Sequence, residues 1–233
     1  MQTKKIVLLI VEGPSDESAL GPILKKIISN KNVRFKVTET DITGDYSYIT
    51  IENIEMHLAK HVRRFLASTF HVEDLLEIIH IVDTDGAFID DSSIIQKSSG
   101  DIKYLENTIE TRHKSKIERR NQLKSEVLKH LVSVDKLEII KDAYVPYKIF
   151  FMSCNLDHLL HDIRNLPSNK KIEKANEFSD SFHDKEKDFI DFLLSSEINV
   201  KGNYEHSWQV IQNKNNSLAR GSNFSLYLIK YKN

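Results

Sequence analysis

Four carboxylates stand where this sequence could do chemistry. A run from Lys5 to Val11, aliphatic after the lysine, ends abruptly in Glu12 and Gly13, with Asp16 close behind in the stretch VLLIVEGPSD. A second run, EIIHIVDTD at residues 77–85, also ends in acid, at Asp83 and Asp85. Both runs are rich in Ile and Val, which suits strands covered on two faces. In a parallel sheet the carboxyl ends of the strands share one edge, and ligands bind in the crevice there. Residues two apart on an extended chain point the same way, so Asp83 and Asp85 are expected to face one point. Gly13 lets the chain turn from strand to helix, with Glu12 and Asp16 on either side of the bend. Clustered anions repel and shift one another's pKa values. A divalent cation relieves that repulsion, and oxygen ligands without nearby cysteine favour Mg²⁺ or Mn²⁺. The expected metal ligands are therefore Glu12, Asp16, Asp83 and Asp85.

The elements that must position these acids follow from hydrophobic period. After the first strand, Leu20, Ile23, Leu24, Ile27 and Ile28 fall at helical spacing, with Ser15 as an N-cap and Pro22 as a point of kinking or a later start. Val33 to Thr40 alternates as a strand, and a long helix is expected from Ile49 to Ser68. Strand, helix, strand, helix, strand predicts an α/β fold, a mostly parallel sheet flanked by helices. Residues 90–101 read as an exposed loop, and 111–131 as a basic helix. Residues 148–153 read as a further buried strand, and Asn155 as the cap of a short helix. Two charged helices are expected within 168–196, and a helix and a last strand, FSLYLI, within 204–230. The organisation expected is a core over 1–110 to which the strand 148–153 can add, a basic helix and return strand over 111–154, and a mainly helical region over 155–233.

Composition excludes more than it names. The chain has 233 residues, with 33 Lys and Arg against 34 Asp and Glu, so net charge points to no partner. One cysteine, Cys154, rules out an internal disulfide framework and suits a reducing compartment. The N-terminal apolar run is short and is followed by acid, unlike a secretory signal, and no stretch approaches a membrane span. A cytoplasmic location without membrane contact is expected. Positive charge is local: Lys60, Arg63 and Arg64 in KHVRR, and Arg112, Lys116, Arg119 and Arg120 in the basic helix. These are the expected contacts to nucleic-acid phosphates.

The pair LLIVEGPSDE and IIHIVDTDG resembles the Toprim domain of topoisomerases, primases and several nucleases, which carries a glutamate after its first strand and Asp-x-Asp after its third. Glu12 matches the glutamate, and Asp83 and Asp85 match the Asp-x-Asp. The spelling Glu-Gly-x-x-Asp is most similar to the overcoming-lysogenization-defect nucleases and to Toprim effectors of bacterial anti-phage systems such as PARIS. The resemblance covers residues 4–110 and extends to 148–153. It implies a Mg²⁺- or Mn²⁺-dependent nuclease cutting phosphodiester bonds in DNA or RNA, transfer RNA included. Glu12, Asp83 and Asp85 would be catalytic, with Glu12 as ligand or general base. It further implies an abortive-infection effector with a separate ABC-type or AAA ATPase, since this chain has no phosphate-binding loop of its own, and it leaves room for a homodimer. A basic group near the scissile phosphate is expected, with Lys148, Lys201 and Arg220 as candidates.

Other readings stand beside this one. Acids at strand ends also cap helices and form turns, and Asp90 and Asp91 suit a solvated loop. A Toprim-like module that binds a partner ATPase or nucleic acid without cutting, or a phosphohydrolase acting on nucleotides, would use the same fold. His57 with His61, and His158 with His161, have helical ligand spacing but lack the acid or cysteine neighbours of a zinc site. Asp157 or His158 could reach the active edge. Cys154 reads as a buried small side chain, and Trp208, Phe224 and Tyr227 as packing residues.

Overall fold

The strand β1 (Ile6–Val11) is an unbroken aliphatic run because both its faces are covered. In the computed structural model, which describes residues 6–28, 32–37, 41–67 and 69–232, Ile6, Leu8 and Ile10 face one buried layer while Val7, Leu9 and Val11 face another. Around β1 the chain forms α1 (Pro14–Ile27), β2 (Asn32–Val37), α2 (Ile54–Leu66) and β3 (Leu75–Asp83). A small sheet of β4 (Ile94–Gln96), β5 (Lys103–Tyr104) and β6 (Ile109–Thr111) precedes the long α3 (Lys114–Val132). A hairpin of β7 (Lys136–Ile140) and β8 (Ala143–Ser153) follows. The remainder holds α4 (Leu156–His161), α5 (Lys171–Ser181), α6 (Glu186–Leu194), α7 (Tyr204–Ile211), β9 (Gly221–Ser222) and α8 (Ser225–Leu228).

The main sheet has six strands, in the order β2-β1-β3-β8-β7 with β9 paired to β8. β1, β2, β3 and β8 run parallel, and β7 and β9 are antiparallel to β8. One layer joins the sheet to α2, α3 and α7 through residues such as Leu58, Val62, Val127, Leu131 and Trp208. The other joins it to α1, α4, α5, α6 and α8 through Leu20, Leu24, Leu159, Phe178, Phe189 and Leu228. The expected α/β class, mostly parallel sheet and helical C-terminal region are what the structure has. No helix among the described residues is long and apolar enough to cross a membrane.

Several elements differ from expectation. α1 begins at Pro14 with Gly13 at the N-cap, so Ser15 is a first-turn residue, and the helix passes through Pro22, which is exposed and forfeits one backbone hydrogen bond. α2 starts at Ile54 because side chains over 41–53 capture backbone donors into turns: Asp41 Oδ1 accepts from Thr43 and Gly44, and Asn53 Oδ1 accepts from Thr50. Lys5, residues 38–40 and Ser68, included in the expected elements, lie outside the described residues. Within 90–101, Ile94–Gln96 pairs with β6. The segment FSLYLI is helical, and only Gly221 and Ser222 pair with β8.

The corner after β3 is held tightly. Thr84 Oγ1 donates to the Ser217 carbonyl at 2.7 Å, and Asp85 N donates to the Cys154 carbonyl at 2.8 Å. Gly86 has φ +68°, and a Cβ there would meet Leu218 Cδ2 at 2.7 Å and Ile109 Cδ1 at 2.9 Å. Gly86→Ala should therefore lower stability by about 2 kcal/mol or more, read as a lower urea midpoint with an unchanged slope.

Candidate functional site

The carboxyl ends of β1, β2 and β3 deliver one acid each to a common point. Among the described residues, Glu12, Asp41 and Asp85 form a metal-capable trio, their ligand atoms all within 4.8 Å of one another. Glu12 follows β1, Asp41 follows the end of β2, and Asp85 lies two residues past β3 with φ +49°. At the centre stands Lys124, wholly buried, whose Nζ lies 2.7 Å from Asp41 Oδ2, 2.7 Å from Asp85 Oδ2 and 3.8 Å from Glu12 Oε1.

α3 fixes this arrangement at two levels. Lys124 neutralises side chains, while Arg120, one turn earlier, donates from Nη2 to the Asp85 carbonyl at 2.8 Å and from Nη1 to the Tyr104 hydroxyl at 2.9 Å. Asn121 donates to the Gly86 carbonyl at 3.1 Å. Asp41 is held by its own turn, accepting from Thr43 Oγ1 at 2.6 Å. Gly44 permits this close approach, since a Cβ there would meet Asp41 Oδ2 at 2.6 Å.

Charge is shared unequally. Burial acts to raise the Asp85 carboxyl, but Lys124, Arg120 and hydrogen bonding from Tyr104 outweigh it and hold it below its ordinary value. Burial acts to lower Lys124, yet Asp41, Asp85 and Glu12 keep it firmly protonated. Glu12 is pushed well above the carboxylate range by burial and by repulsion from Asp41, with Lys124 offsetting only part. Asp83 is pushed well up by burial, then by Glu12, Asp85 and Asp16. Lys124 thus offsets Glu12 from 3.8 Å and Asp83 more weakly, and neither carboxylate is brought back to its ordinary range.

The expected site is brought together in part. Glu12 and Asp85 meet as anticipated, but Asp83 and Asp85 do not face one point, because the strand ends at Asp83 and Asp85 turns left-handed. Asp83 Oδ1 instead accepts from Leu156 N at 2.9 Å, and Asp83 N donates to Glu12 Oε1 at 3.3 Å. Asp16 lies outside the trio: its Oδ2 accepts from Gly13 N at 2.9 Å, making it a first-turn cap of α1. Asp41 was missed because β2, NVRFKV, is not a buried apolar run and Asp41 stands four residues past its end. Lys124 was missed inside a basic run, although it lies on the helical stripe of Asn121, Leu128 and Leu131.

The expected phosphate contacts divide. Arg120 is half-buried behind the site, its guanidinium committed to the Asp85 carbonyl and the Tyr104 hydroxyl. α2 returns the chain from the carboxyl edge to the start of β3, so Lys60, Arg63 and Arg64 in its last turns lie towards the amino edge. Arg63 Nη1 there donates to the Ile139 carbonyl at 2.6 Å. Arg112, Lys116 and Arg119 are exposed near the start of α3, with Arg119 over the Tyr46 ring. Of the basic candidates, Lys148 lies over the Tyr204 ring, Arg220 donates to the Leu159 carbonyl, and Lys201 is exposed. Lys124 is the cation at the acids.

The remaining candidates are accounted for. His158 is buried, accepts from Cys154 N, and is lowered to about 4, chiefly by burial. His161 packs edge-on to Phe178, and His57 lies beside Tyr48. Burial pushes the Cys154 thiol up, away from a reactive thiolate. Trp208 packs on Phe151, and Phe224 and Tyr227 on Phe150. Asp90 and Asp91 are exposed. Asp157 reaches the acid edge, paired with Lys171 at 2.7 Å.

Compared with known proteins, the chain matches no family model, no curated protein and no solved structure. The site is therefore read from its own geometry. A half-buried acidic trio that could bind a metal ion is present, with a buried ammonium beside it.

Two stability outcomes follow. Lys124→Met removes the counter-charge of Asp41 and Asp85, which are 25% and 15% exposed, so the loss should stay below the roughly 3–5 kcal/mol of a fully buried pair. Adding Asp85→Asn to Lys124→Met should restore part of that loss in chemical unfolding. The folded protein keeps protons on Glu12 and Asp83 at pH values where the unfolded chain, near the ordinary 4.5 and 3.8, has released them. Raising pH through that window therefore removes stability from the metal-free protein. Glu12→Gln should flatten this loss and raise the melting temperature at neutral pH, by about 2–4 °C for each 1 kcal/mol relieved.

Proposed function

We propose that this protein is a divalent-metal-dependent nuclease hydrolysing phosphodiester bonds at the Glu12–Asp41–Asp85 edge. One observation carries the reading: carboxylates from three strand ends converge on one point and outnumber the buried cation that serves them. Lys124 sits closest to Asp41 and Asp85, so Glu12 and Asp83 hold their protons until further positive charge arrives. That imbalance fits Mg²⁺ or Mn²⁺, with Glu12, Asp85 and Asp41 as holding residues and Asp83 beside them. Such an ion, when bound, supplies Lewis-acid polarisation of a phosphate oxygen and lowers the pKa of water.

The chain's own residues have distinct tasks. Glu12, partly exposed and with a raised pKa, is suited to take a proton from an attacking water. Lys124 is too buried to meet substrate without moving, so it is a positioning residue that fixes Asp41 and Asp85. Asp16 shapes the turn that presents Glu12. The likeness of LLIVEGPSDE and IIHIVDTDG to Toprim effectors supports the same chemistry, and extends the proposal to an anti-phage role with a separate ATPase.

Purified protein incubated with Mn²⁺ or Mg²⁺ should cleave at least one of plasmid, single-stranded DNA and total transfer RNA. Glu12→Gln and Asp85→Asn should each lower cleavage about 10²-fold or more, whereas Asp16→Asn should act mainly on stability. Cleavage that survives both of the first two substitutions would sink the assignment. A second reading is a silent binding module, favoured by the ammonium already bridging two of the three carboxylates. The readings part on metal: a bound ion at 100 times its Kd stabilises by about 2.7 kcal/mol, so Mn²⁺ should raise the wild-type melting temperature but not that of Glu12→Gln. A silent module would show no such rise.

A further inference from the structure

A groove of about 530 Å³ runs beside the acids, between β5 on one side and the segment from Asn155 to Lys171 on the other. Its walls are pinned together, because Asn165 accepts from Tyr104 N and donates to the Tyr104 carbonyl, both at 2.8 Å. The groove touches the acid edge at two independent places. Tyr104 lines it, and its hydroxyl takes the hydrogen bond from Arg120 behind Asp85. Asn155 lines it too, and the next residue, Leu156, donates from N to Asp83 Oδ1 at 2.9 Å. Three cations face this space, Lys103, Arg164 and Lys171, against two acids, Asp101 and Asp157.

We infer that this groove is the substrate channel, and that it takes a single nucleic-acid strand rather than a duplex. The inference rests on the nuclease reading and names its substrate class. The volume is that of a site for one drug-sized ligand, enough for a nucleotide or two of backbone and too small for a double helix about 20 Å across. The fixed span between β5 and Asn165 keeps it from widening. Backbone phosphates would lie along Lys103, Arg164 and Lys171, with the strand continuing past Tyr104 to Glu12 and Asp85. This path replaces Lys60, Arg63 and Arg64, which belong to the other edge of the sheet.

The test is binding of a fluorescein-labelled 12-nucleotide single strand and of the matching duplex, by anisotropy in EDTA so that nothing is cut. Lys103→Glu combined with Arg164→Gln should weaken single-strand binding at least tenfold and flatten its salt dependence. Lys60→Glu combined with Arg63→Glu should change it less than twofold. Lys103→Glu alone, at an exposed position, should give a graded loss and guards against misfolding of the pair. Equal binding by the groove variants and wild type, preference for duplex, or no single-strand binding by wild type would each overturn the channel. Cleavage by wild type that is lost in Glu12→Gln would leave the nuclease reading standing in that event. Groove-dependent binding with no metal-dependent cleavage would instead retain the channel and remove the nuclease.

Discussion

One buried ammonium governs this molecule's acid edge. Lys124 gives up hydration and is held by Asp41 and Asp85, which would otherwise repel each other across a few ångströms. Pairs of this kind contribute little net stability relative to an apolar core, but removing one partner is severe. The arrangement therefore reads as specification of geometry rather than as a source of stability. It ties α3 to the ends of two strands, and it leaves Glu12 and Asp83 as the groups it compensates least.

The sheet supplies the convergence. Parallel order places the ends of β1, β2 and β3 along one rim, so three residues distant in sequence become neighbours without any long loop. The corner at Asp85 is then locked by contacts from three directions: Thr84 to Ser217, Asp85 to Cys154, and Arg120 to the Asp85 carbonyl. Oxygen atoms fixed in this way need little reorganisation when charge arrives, which is the property that electrostatic stabilisation requires.

Much of the fold was legible in sequence because β1, β3 and the end of β8 are apolar stretches that suit a doubly covered strand. Glu12 and Asp85 were legible for the same reason, as acids closing such runs. Asp83 was misread in direction because the backbone leaves extended geometry at Thr84, which periodicity cannot show. The start of α2 was misread because Ile51 keeps helical spacing with Ile54 and Leu58 while Asp41, Asp45 and Asn53 divert the backbone into turns. FSLYLI alternates like a strand, yet Phe224, Tyr227 and Leu228 are buried at helical spacing. Lys124 stayed hidden because a lysine's burial depends on partners that arrive from β2 and β3, far away in the chain.

The dual grip of α3 constrains how this protein can vary. Arg120, Asn121 and Lys124 reach the corner only because they share one helical face, and each residue advances that face by about 100°. Inserting or deleting a single residue between the start of α3 and Lys124 would swing the ammonium out of the cluster and an exposed side chain into it. Length changes in this half of the helix are thus forbidden, while the exposed bend at residues 98–100 is free to drift.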